Sequence, residues 1–280
     1  MVEYTPPITP WSTKAGPNVG GTMLASSDMA SGVIGGKFYL AGGLGAATVG
    51  ATPQVLNQTL EYDPAADAWT EMAAMPTPRS HAASAVVDGK LYVMGGSLDG
   101  TSGKRSACNA NEVYDPVTDT WEVKTPFITA MASAAAAYDG KIYLFGGYDD
   151  RNSNVVVEYN PATDSWRTRA YMADSRSWAT AVTYQDKIYV IGGQSNVAGH
   201  EVVQEYDPNT NTWQNRESLP SGRFSAGEVV IGDSIYLVGG IDNRGAAVNG
   251  VFEYRPSGDK WDTWAGFDTA LGALALVAVE

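Results

Sequence analysis

Three arginines occupy one position of a repeated pattern and carry the clearest binding chemistry in this sequence. Arg79, Arg176 and Arg223 each stand thirteen residues before a tyrosine in a short apolar segment. In two further copies of the pattern the same position holds Ser26 and Ala130. A guanidinium binds a carboxylate through two parallel hydrogen bonds, so arginines that converge on one face predict a site for an acidic ligand. Alternatively, each arginine hydrogen-bonds the carbonyls or carboxylates of neighbouring loops.

Four further candidate contacts stand close to these arginines or to a recurring glycine pair. His81 and Trp178 each follow one of the arginines by two residues, and Tyr148 and Gln194 each directly follow two glycines. A tryptophan combines a large apolar area with one N–H donor, so Trp178 is suited to stack on a sugar or a peptide. The alternative for Trp178 is packing inside the fold.

Glu228 departs most from the pattern of small residues at its position, eight before the tyrosine of its apolar segment. The equivalent residues are all small: Ser31, Ser84, Ala135 and Ala181. A carboxylate that is buried alone costs free energy, so Glu228 must be paired or reach water. Paired with an arginine, it would form an acid/base pair able to act on a sugar.

All these residues belong to units that repeat every 46 to 53 residues. Each unit has an apolar segment that ends in two glycines, and a later segment in which tryptophan follows tyrosine by seven residues. The apolar segments are KFYLAGG (37–43), KLYVMGG (90–96), KIYLFGG (141–147), KIYVIGG (187–193) and SIYLVGG (234–240). The Tyr–Trp pairs are Tyr62/Trp69, Tyr114/Trp121, Tyr159/Trp166, Tyr206/Trp213 and Tyr254/Trp261.

The constant Tyr–Trp spacing predicts a hairpin of fixed register, in which the Asp or Asn two residues before the Trp folds onto the turn backbone. The glycine pair predicts a close backbone approach at a strand end. A segment of small residues precedes each apolar segment and predicts an inner strand near the axis of a radial fold. Each unit is therefore predicted to be a four-stranded antiparallel blade, and the chain an all-β propeller.

The glycine pair, the Tyr–Trp spacing and the arginine before the inner strand together resemble the kelch-repeat family. The resemblance covers nearly the whole chain, and it implies a propeller whose ligands bind one rim of the central channel. The rim loops are then 44–58, 97–110, 148–153, 194–200 and 241–249. Similar arginines in kelch adaptor proteins contact acidic peptides. The resemblance to bacterial kelch sialate mutarotases implies instead a sugar-acting enzyme that uses Glu228 and the arginines.

The first residues, VEYTPPITPW (2–11), fit the same hairpin template, because Trp11 follows Tyr4 by seven residues. The small and apolar segment LGALALVAV (271–279) fits an inner strand. The sequence therefore predicts a sixth blade, split between the two termini, that closes the ring and lacks its glycine-pair strand. Truncation of a longer propeller, a three-stranded sixth blade and a five-bladed ring with frayed ends are the alternatives.

These expectations divide a single domain, 1–280, into six blades. The predicted ranges are 22–73 for blade 1, 79–124 for blade 2, 130–169 for blade 3, 176–216 for blade 4, 223–265 for blade 5, and 2–14 with 270–280 for blade 6.

The composition of the chain limits the classes of partner that it is expected to bind. The net charge of −13 disfavours nucleic acid and anionic membrane surfaces. Neither a signal peptide nor a segment long enough to span a bilayer is recognised in the chain as written, and the compartment stays open. Cys108 is the single cysteine, so no intrachain disulfide forms. No metal-ligand spacing, phosphate loop or nucleophile elbow is present, so no cofactor and no metal are expected.

The favoured interpretation is a monomeric, non-catalytic module that binds a peptide, a protein or an acidic ligand through the rim. Its expected contacts are Arg79, His81, Tyr148, Arg176, Trp178, Gln194, Arg223 and Glu228. The alternatives are the carbohydrate-acting enzyme, with Glu228 as its catalytic residue, and a scaffold segment without a ligand. A copper radical oxidase is disfavoured, because His81, His200 and Cys108 lie in separate units without a supporting motif.

Overall fold

The computed structural model describes residues 2–3, 12–14, 16, 18–19, 22–23, 25–46, 52–101, 106–126, 132–195 and 198–266. Within these residues the chain forms five four-stranded antiparallel sheets. In each sheet the strands pair in the order first, second, third, fourth. This arrangement confirms the predicted all-β propeller of four-stranded blades.

The strand bounds of the five blades follow the repeat. Blade 1 contains Ala30–Ile34, Lys37–Ala41, Thr59–Asp63 and Ala68–Met72. Blade 2 contains Ala83–Val87, Lys90–Met94, Asn111–Asp115 and Thr120–Val123. Blade 3 contains Ala134–Tyr138, Lys141–Phe145, Val156–Asn160 and Ser165–Thr168. Blade 4 contains Thr180–Tyr184, Lys187–Ile191, Val203–Asp207 and Thr212–Arg216. Blade 5 contains Gly227–Ile231, Ser234–Val238, Val251–Arg255 and Lys260–Trp264.

Short strands in the connections form additional small sheets. Ala25–Ser27, Leu44–Ala46 and Gln54–Val55 make a three-stranded sheet. The two-stranded pairs are Val2–Glu3 with Ser12–Thr13, Asn18–Val19 with Thr22–Met23, Gln194–Ser195 with Ala198–Gly199, and Arg223–Phe224 with Ile241–Asp242. None of the described residues belongs to a helix long and apolar enough to cross a membrane.

The first strands of consecutive blades contact one another, which places them around a central channel. The hydrophobic core is divided into layers between adjacent blades. In the layer between blades 2 and 3, for example, Tyr92 and Val113 pack with Leu144 and Tyr159. Small residues on the first strands allow the blades to converge at the channel, as the sequence predicted.

The Tyr–Trp spacing sets both the hairpin register and a clamp between blades. The tyrosine and tryptophan are cross-strand partners in every blade. In blade 2, Tyr114 donates a hydrogen bond of 2.7 Å to Asp119, and Asp119 accepts another of 2.8 Å from the Ala73 N–H of blade 1. Trp121 Nε1 donates to the Ala73 carbonyl at 2.8 Å. Blades 3, 4 and 5 repeat this clamp with Asp164, Asn211 and Asp259.

The predicted role of the acidic residue before the tryptophan was wrong. In blades 2 to 5 this residue does not fold onto its own turn, because its oxygens are engaged by the tyrosine and by the preceding blade. In blades 1 to 4 the turn is instead held by the Asp or Asn directly after the tyrosine, as Asp115 accepts from the Val117 N–H at 2.9 Å. One polar residue therefore holds the turn, and a second one links the hairpin to the preceding blade.

The glycine pairs make the close approach that the sequence predicted. Every glycine of the five pairs has positive φ. In blades 1, 3 and 4 the second glycine also bonds the next blade: the Gly147 N–H, for example, donates to the Arg176 carbonyl at 3.0 Å. A Cβ on Gly146 would collide with that same carbonyl. The pairs therefore link neighbouring blades at the end of the second strand.

The prediction of six blades was wrong for the described residues, which contain five. Val2–Glu3 and Ser12–Thr13 do pair, with Glu3 opposite Ser12 as Glu61 is opposite Thr70 in blade 1. However, all five glycine-pair strands serve as second strands of the five blades, and the described residues contain no further second strand that this strand pair could join. The proposed inner strand, 270–280, lies outside the described residues, as do Tyr4 and Trp11.

Candidate functional site

The first of the three aligned arginines lies inside the protein. Arg79 is 1 % exposed and donates hydrogen bonds to the Thr77 and Val93 carbonyls, each at 2.9 Å. Its Nη1 lies 2.5 Å from Oε2 of Glu112, which is also buried. The guanidinium is thus occupied by the third strand of its own blade, and a ligand at the rim cannot reach it in this conformation.

The other two arginines are buried in the same way. Arg176 donates to the Oε1 of Gln204 at 2.7 Å, and burial lowers the pKa of its guanidinium to about 10. Arg223 stacks over the Phe252 ring at 4.8 Å, and burial lowers its pKa as well. The three arginines therefore do not converge on a ligand site in this structure. Their convergence was one of the two interpretations of the sequence.

The partner of each arginine stands two residues before the tyrosine of the third strand. Glutamate, glutamine or phenylalanine takes this position in the three blades that have the arginine: Glu112, Gln204 and Phe252. Buried Leu60 and Val157 take it in the two blades that lack the arginine. This internal covariation was present in the sequence, and it indicates a structural role for the arginines.

A different set of side chains surrounds the mouth of the central channel, where a cavity of about 140 Å³ opens to solvent. Two consecutive residues from each blade line the cavity, and the first of them stands two places after the arginine position. These first residues are Asp28, His81, Ala132, Trp178 and Ser225. We call them the mouth residues.

The mouth residues are joined by a chain of backbone hydrogen bonds from blade to blade. His81 donates to the Asp28 carbonyl at 3.1 Å, Ala132 to His81 at 2.9 Å, Trp178 to Ala132 at 2.9 Å, and Ser225 to Trp178 at 2.9 Å. All five have φ between 51° and 56°, a left-handed conformation that is unfavourable for most side chains. Because every blade repeats this geometry, the left-handed backbone conformation is a feature of the fold. The mouth residues therefore differ from one another only in their side chains.

Asp28 and His81 form the polar side of the mouth. His81 Nε2 lies 3.5 Å from Asp28 Oδ1, and Ser80 Oγ lies 2.9 Å from His81 Nδ1. Ser27 Oγ donates to the second oxygen of Asp28 at 2.7 Å. Serine, histidine and aspartate are the residue types of a hydrolytic triad, but Ser80 is fully buried and cannot reach a substrate. These three residues therefore do not form a hydrolytic triad that a substrate can reach.

Trp178 and Tyr148 form the aromatic side of the mouth. Their ring centroids are 5.7 Å apart and their planes are inclined by 37°. Both side chains are half-buried, so each keeps part of its surface open to a ligand. Gln194 pairs through its backbone with Ser177, beside Trp178, and does not line the cavity. The structure thus brings His81, Trp178 and Tyr148 together, and adds Asp28, which the sequence analysis missed.

Glu228 lies below the mouth, on the first strand of blade 5 and beside Thr180 of blade 4. Burial raises the pKa of its carboxyl to about 7, although its contact with Thr180 opposes the shift. Among the described residues no arginine forms an ion pair with it, so the predicted Glu–Arg pair is not assembled. Within the same residues no three His, Cys, Asp or Glu side chains cluster closely enough to hold a metal ion.

Comparison with known families decides the classification. The KLHDC2/KLHL20/DRC7 Kelch-repeats domain model matches residues 132–270, and the Kelch motif model matches 25–76 and 78–127. The chain belongs to the kelch-repeat family. The kelch resemblance drawn from the glycine pairs and the Tyr–Trp spacing is thereby confirmed.

The curated relatives of this kelch propeller are longer proteins. Kelch-like protein terF of Aspergillus terreus is 31% identical over 203 residues, which are 69% of this chain and 44% of the relative. Spermatocyte protein spe-26 of Caenorhabditis elegans is 32% identical over 146 residues, 47% of this chain and 24% of the relative. The chain therefore spans less than half the length of these relatives.

One solved structure, titled "Structure of YjhT", has the same fold. It superposes with a TM-score of 0.78 and covers 91% of this kelch propeller and 87% of its own chain. The sequence identity is 17%, so the likeness establishes the propeller architecture alone.

Proposed function

We propose that this kelch propeller is a non-catalytic module that binds a peptide segment of a protein partner at the mouth of its central channel. The observation that carries the proposal is the set of mouth residues, whose side chains differ from blade to blade on an invariant backbone frame. A rigid frame with variable side chains is typical of a recognition surface.

The size and chemistry of the cavity favour this function. At about 140 Å³ it is smaller than the roughly 300–1,000 Å³ usual for small-molecule pockets, so it is suited to one side chain of a larger ligand. Trp178 supplies the half-buried aromatic surface that dominates many protein interfaces, and Tyr148 supports it from the next rim loop. The remainder of a peptide would lie across the rim.

The test is selection of a displayed library of random 12-residue peptides on the purified propeller, followed by affinity measurement for the selected peptides. We expect Trp178→Ala to weaken them by about tenfold or more, the usual effect of losing an aromatic anchor. Val117→Ala is the matched control, since Val117 is 91% exposed in a hairpin turn away from the mouth. Selected peptides that bind Trp178→Ala as tightly as the wild type would contradict the proposal.

A carbohydrate-acting enzyme is a second candidate, because Glu228 has a pKa of about 7 and lies next to the channel. A carboxyl group that titrates near neutrality is suited to general acid/base catalysis. Proton NMR of sialic acid and other acidic sugars would detect an accelerated mutarotation. A rate that stays at the uncatalysed value, with Glu228→Gln equally inactive, would exclude this activity for those sugars.

A further inference from the structure

We propose that the mouth takes a positively charged side chain, a lysine or an arginine of the partner peptide, and not the acidic group that the aligned arginines predicted. This inference rests on the proposed function and specifies its ligand. It follows from the charges that the structure leaves open at the mouth once the arginines are buried.

The arginines cannot supply positive charge to a ligand. Glu112 neutralises Arg79 at 2.5 Å, and the side chains of Arg176 and Arg223 are enclosed by their own blades. No lysine or arginine is among the described residues that line the cavity. The three guanidinium groups are therefore not accessible to an acidic ligand at the mouth.

Among the described residues that line the cavity, Asp28 supplies the one carboxylate. Its side chain is 18% exposed, and its partners are the Ser27 hydroxyl and the His81 ring. No lysine or arginine among the described residues lies within ion-pair distance of it. A carboxylate without a fixed cation gains most from a cationic ligand, because a charge-assisted hydrogen bond is stronger than a neutral one.

The aromatic side of the mouth favours the same ligand. The face of tryptophan or tyrosine attracts an ammonium or guanidinium group placed within about 6 Å of the ring centre. Trp178 lines the cavity that Asp28 lines, and Tyr148 packs on Trp178. A lysine or arginine side chain in the cavity would therefore have a carboxylate at one wall and an aromatic ring at another.

The charged side chains around the mouth also favour a positively charged ligand. Within the described residues of the rim loops, four side chains are acidic (Asp99, Asp149, Asp150, Asp242) and two are basic (Arg151, Arg244), and Asp28 stands at the mouth beside them. Lys104 and Arg105 also belong to a rim loop but lie outside the described residues. Together with the net charge of −13, this distribution attracts basic peptides and speeds their association at low salt.

The experiment compares the peptides selected by the wild type with those selected by Asp28→Asn. Asparagine keeps the size of the side chain and tolerates the positive φ at this position, so the backbone chain of the mouth is retained. Asp88→Asn is the matched control: it removes one charge from a turn with positive φ in blade 2, at the end of the blade away from the mouth. Wild type and control should select peptides enriched in lysine and arginine.

For the tightest wild-type peptide, we expect Asp28→Asn to weaken binding by about tenfold, as for the loss of one charge-assisted hydrogen bond, and Asp88→Asn by less than about twofold. Selected peptides that need Trp178 but show no enrichment in basic residues, or that bind Asp28→Asn unchanged, would overturn the cationic ligand and leave the binding module standing. If no selected peptide depends on Trp178, the proposed function itself fails.

Discussion

The Arg79 guanidinium donates a 2.5 Å hydrogen bond to the Glu112 carboxylate, and both side chains are buried within blade 2. The pair connects the segment that leads into the first strand with the third strand. Arg79, one of the ligand contacts expected from the sequence, is thus an internal support of the blade. Blade 3 has Val157 in place of Glu112, and its own strands assemble without the ion pair.

The Arg79–Glu112 pair supplies a prediction about stability. Arg79→Ala leaves Glu112 buried with only Thr77 to bond, and we expect a loss of about 3–5 kcal/mol in the free energy of unfolding, as for other buried ion pairs that lose one partner. The double variant Arg79→Ala, Glu112→Val reproduces the residues of blade 3 and should recover most of the loss. Urea denaturation of the single and double variants measures both. A double variant no more stable than Arg79→Ala would contradict this account of the position.

The interblade clamp predicts a difference between two substitutions of Asp119. Asp119→Ala removes the acceptor of Tyr114 and of the Ala73 N–H, and should cost about 1–3 kcal/mol. Asp119→Asn should cost less than about 1 kcal/mol, because Asn211 makes the same contacts in blade 4 with the same positive φ. Thermal and urea unfolding distinguish the two. Equal losses would mean that the bonds do not hold the blades together.

Two glycines of blade 3 allow the cost of backbone strain to be measured apart from the cost of a steric clash. Gly140 has a φ of 68° and open space around it, whereas a Cβ on Gly146, with a φ of 63°, would meet the Arg176 carbonyl. Gly140→Ala should therefore cost about 1 kcal/mol, the strain alone. Gly146→Ala should cost about 1–3 kcal/mol more, because the blades must move apart. Similar unfolding midpoints for the two variants would show that the approach of the blades is looser than described.

Glu228 predicts a dependence of stability on pH. Because its pKa is raised from 4.5 to about 7 in the folded protein, its ionisation opposes folding, and the wild type loses stability as pH rises between these values. Glu228→Gln lacks this loss, so it should be more stable than the wild type by about 1–3 kcal/mol at pH 8 and nearly equal to it at pH 4. Unfolding by urea at both pH values gives the comparison. A stability difference that is the same at pH 4 and pH 8 would show that Glu228 does not titrate as the structure indicates.

The blades could be predicted from the sequence because their determinants are local. The Tyr–Trp spacing fixes a hairpin register, and the glycine pair marks a strand end, whatever the rest of the chain does. The number of blades was harder to predict, because Val2–Glu3 and Ser12–Thr13 pair as the template requires, whereas the described residues contain second strands for five blades only.

The site was predicted in part. The alignment that singled out His81 and Trp178 also selects Asp28, which was overlooked because its blade has Ser26 in place of an arginine. The burial of Arg79 depended on a partner two strands away, Glu112, and such tertiary pairing is not visible from one position of a repeat.

The central claim is that ligands bind at the mouth, and the two histidines of the chain allow a direct test. His81 lines the mouth, whereas His200 lies in a rim loop outside the cavity. With ring-labelled histidine, each gives its own NMR signals. On titration with a selected peptide, we expect the His81 ring signals to shift in proportion to the bound fraction and those of His200, which lies on the rim outside the cavity, to shift less. Saturating peptide that leaves the His81 signals unchanged would contradict binding at the mouth.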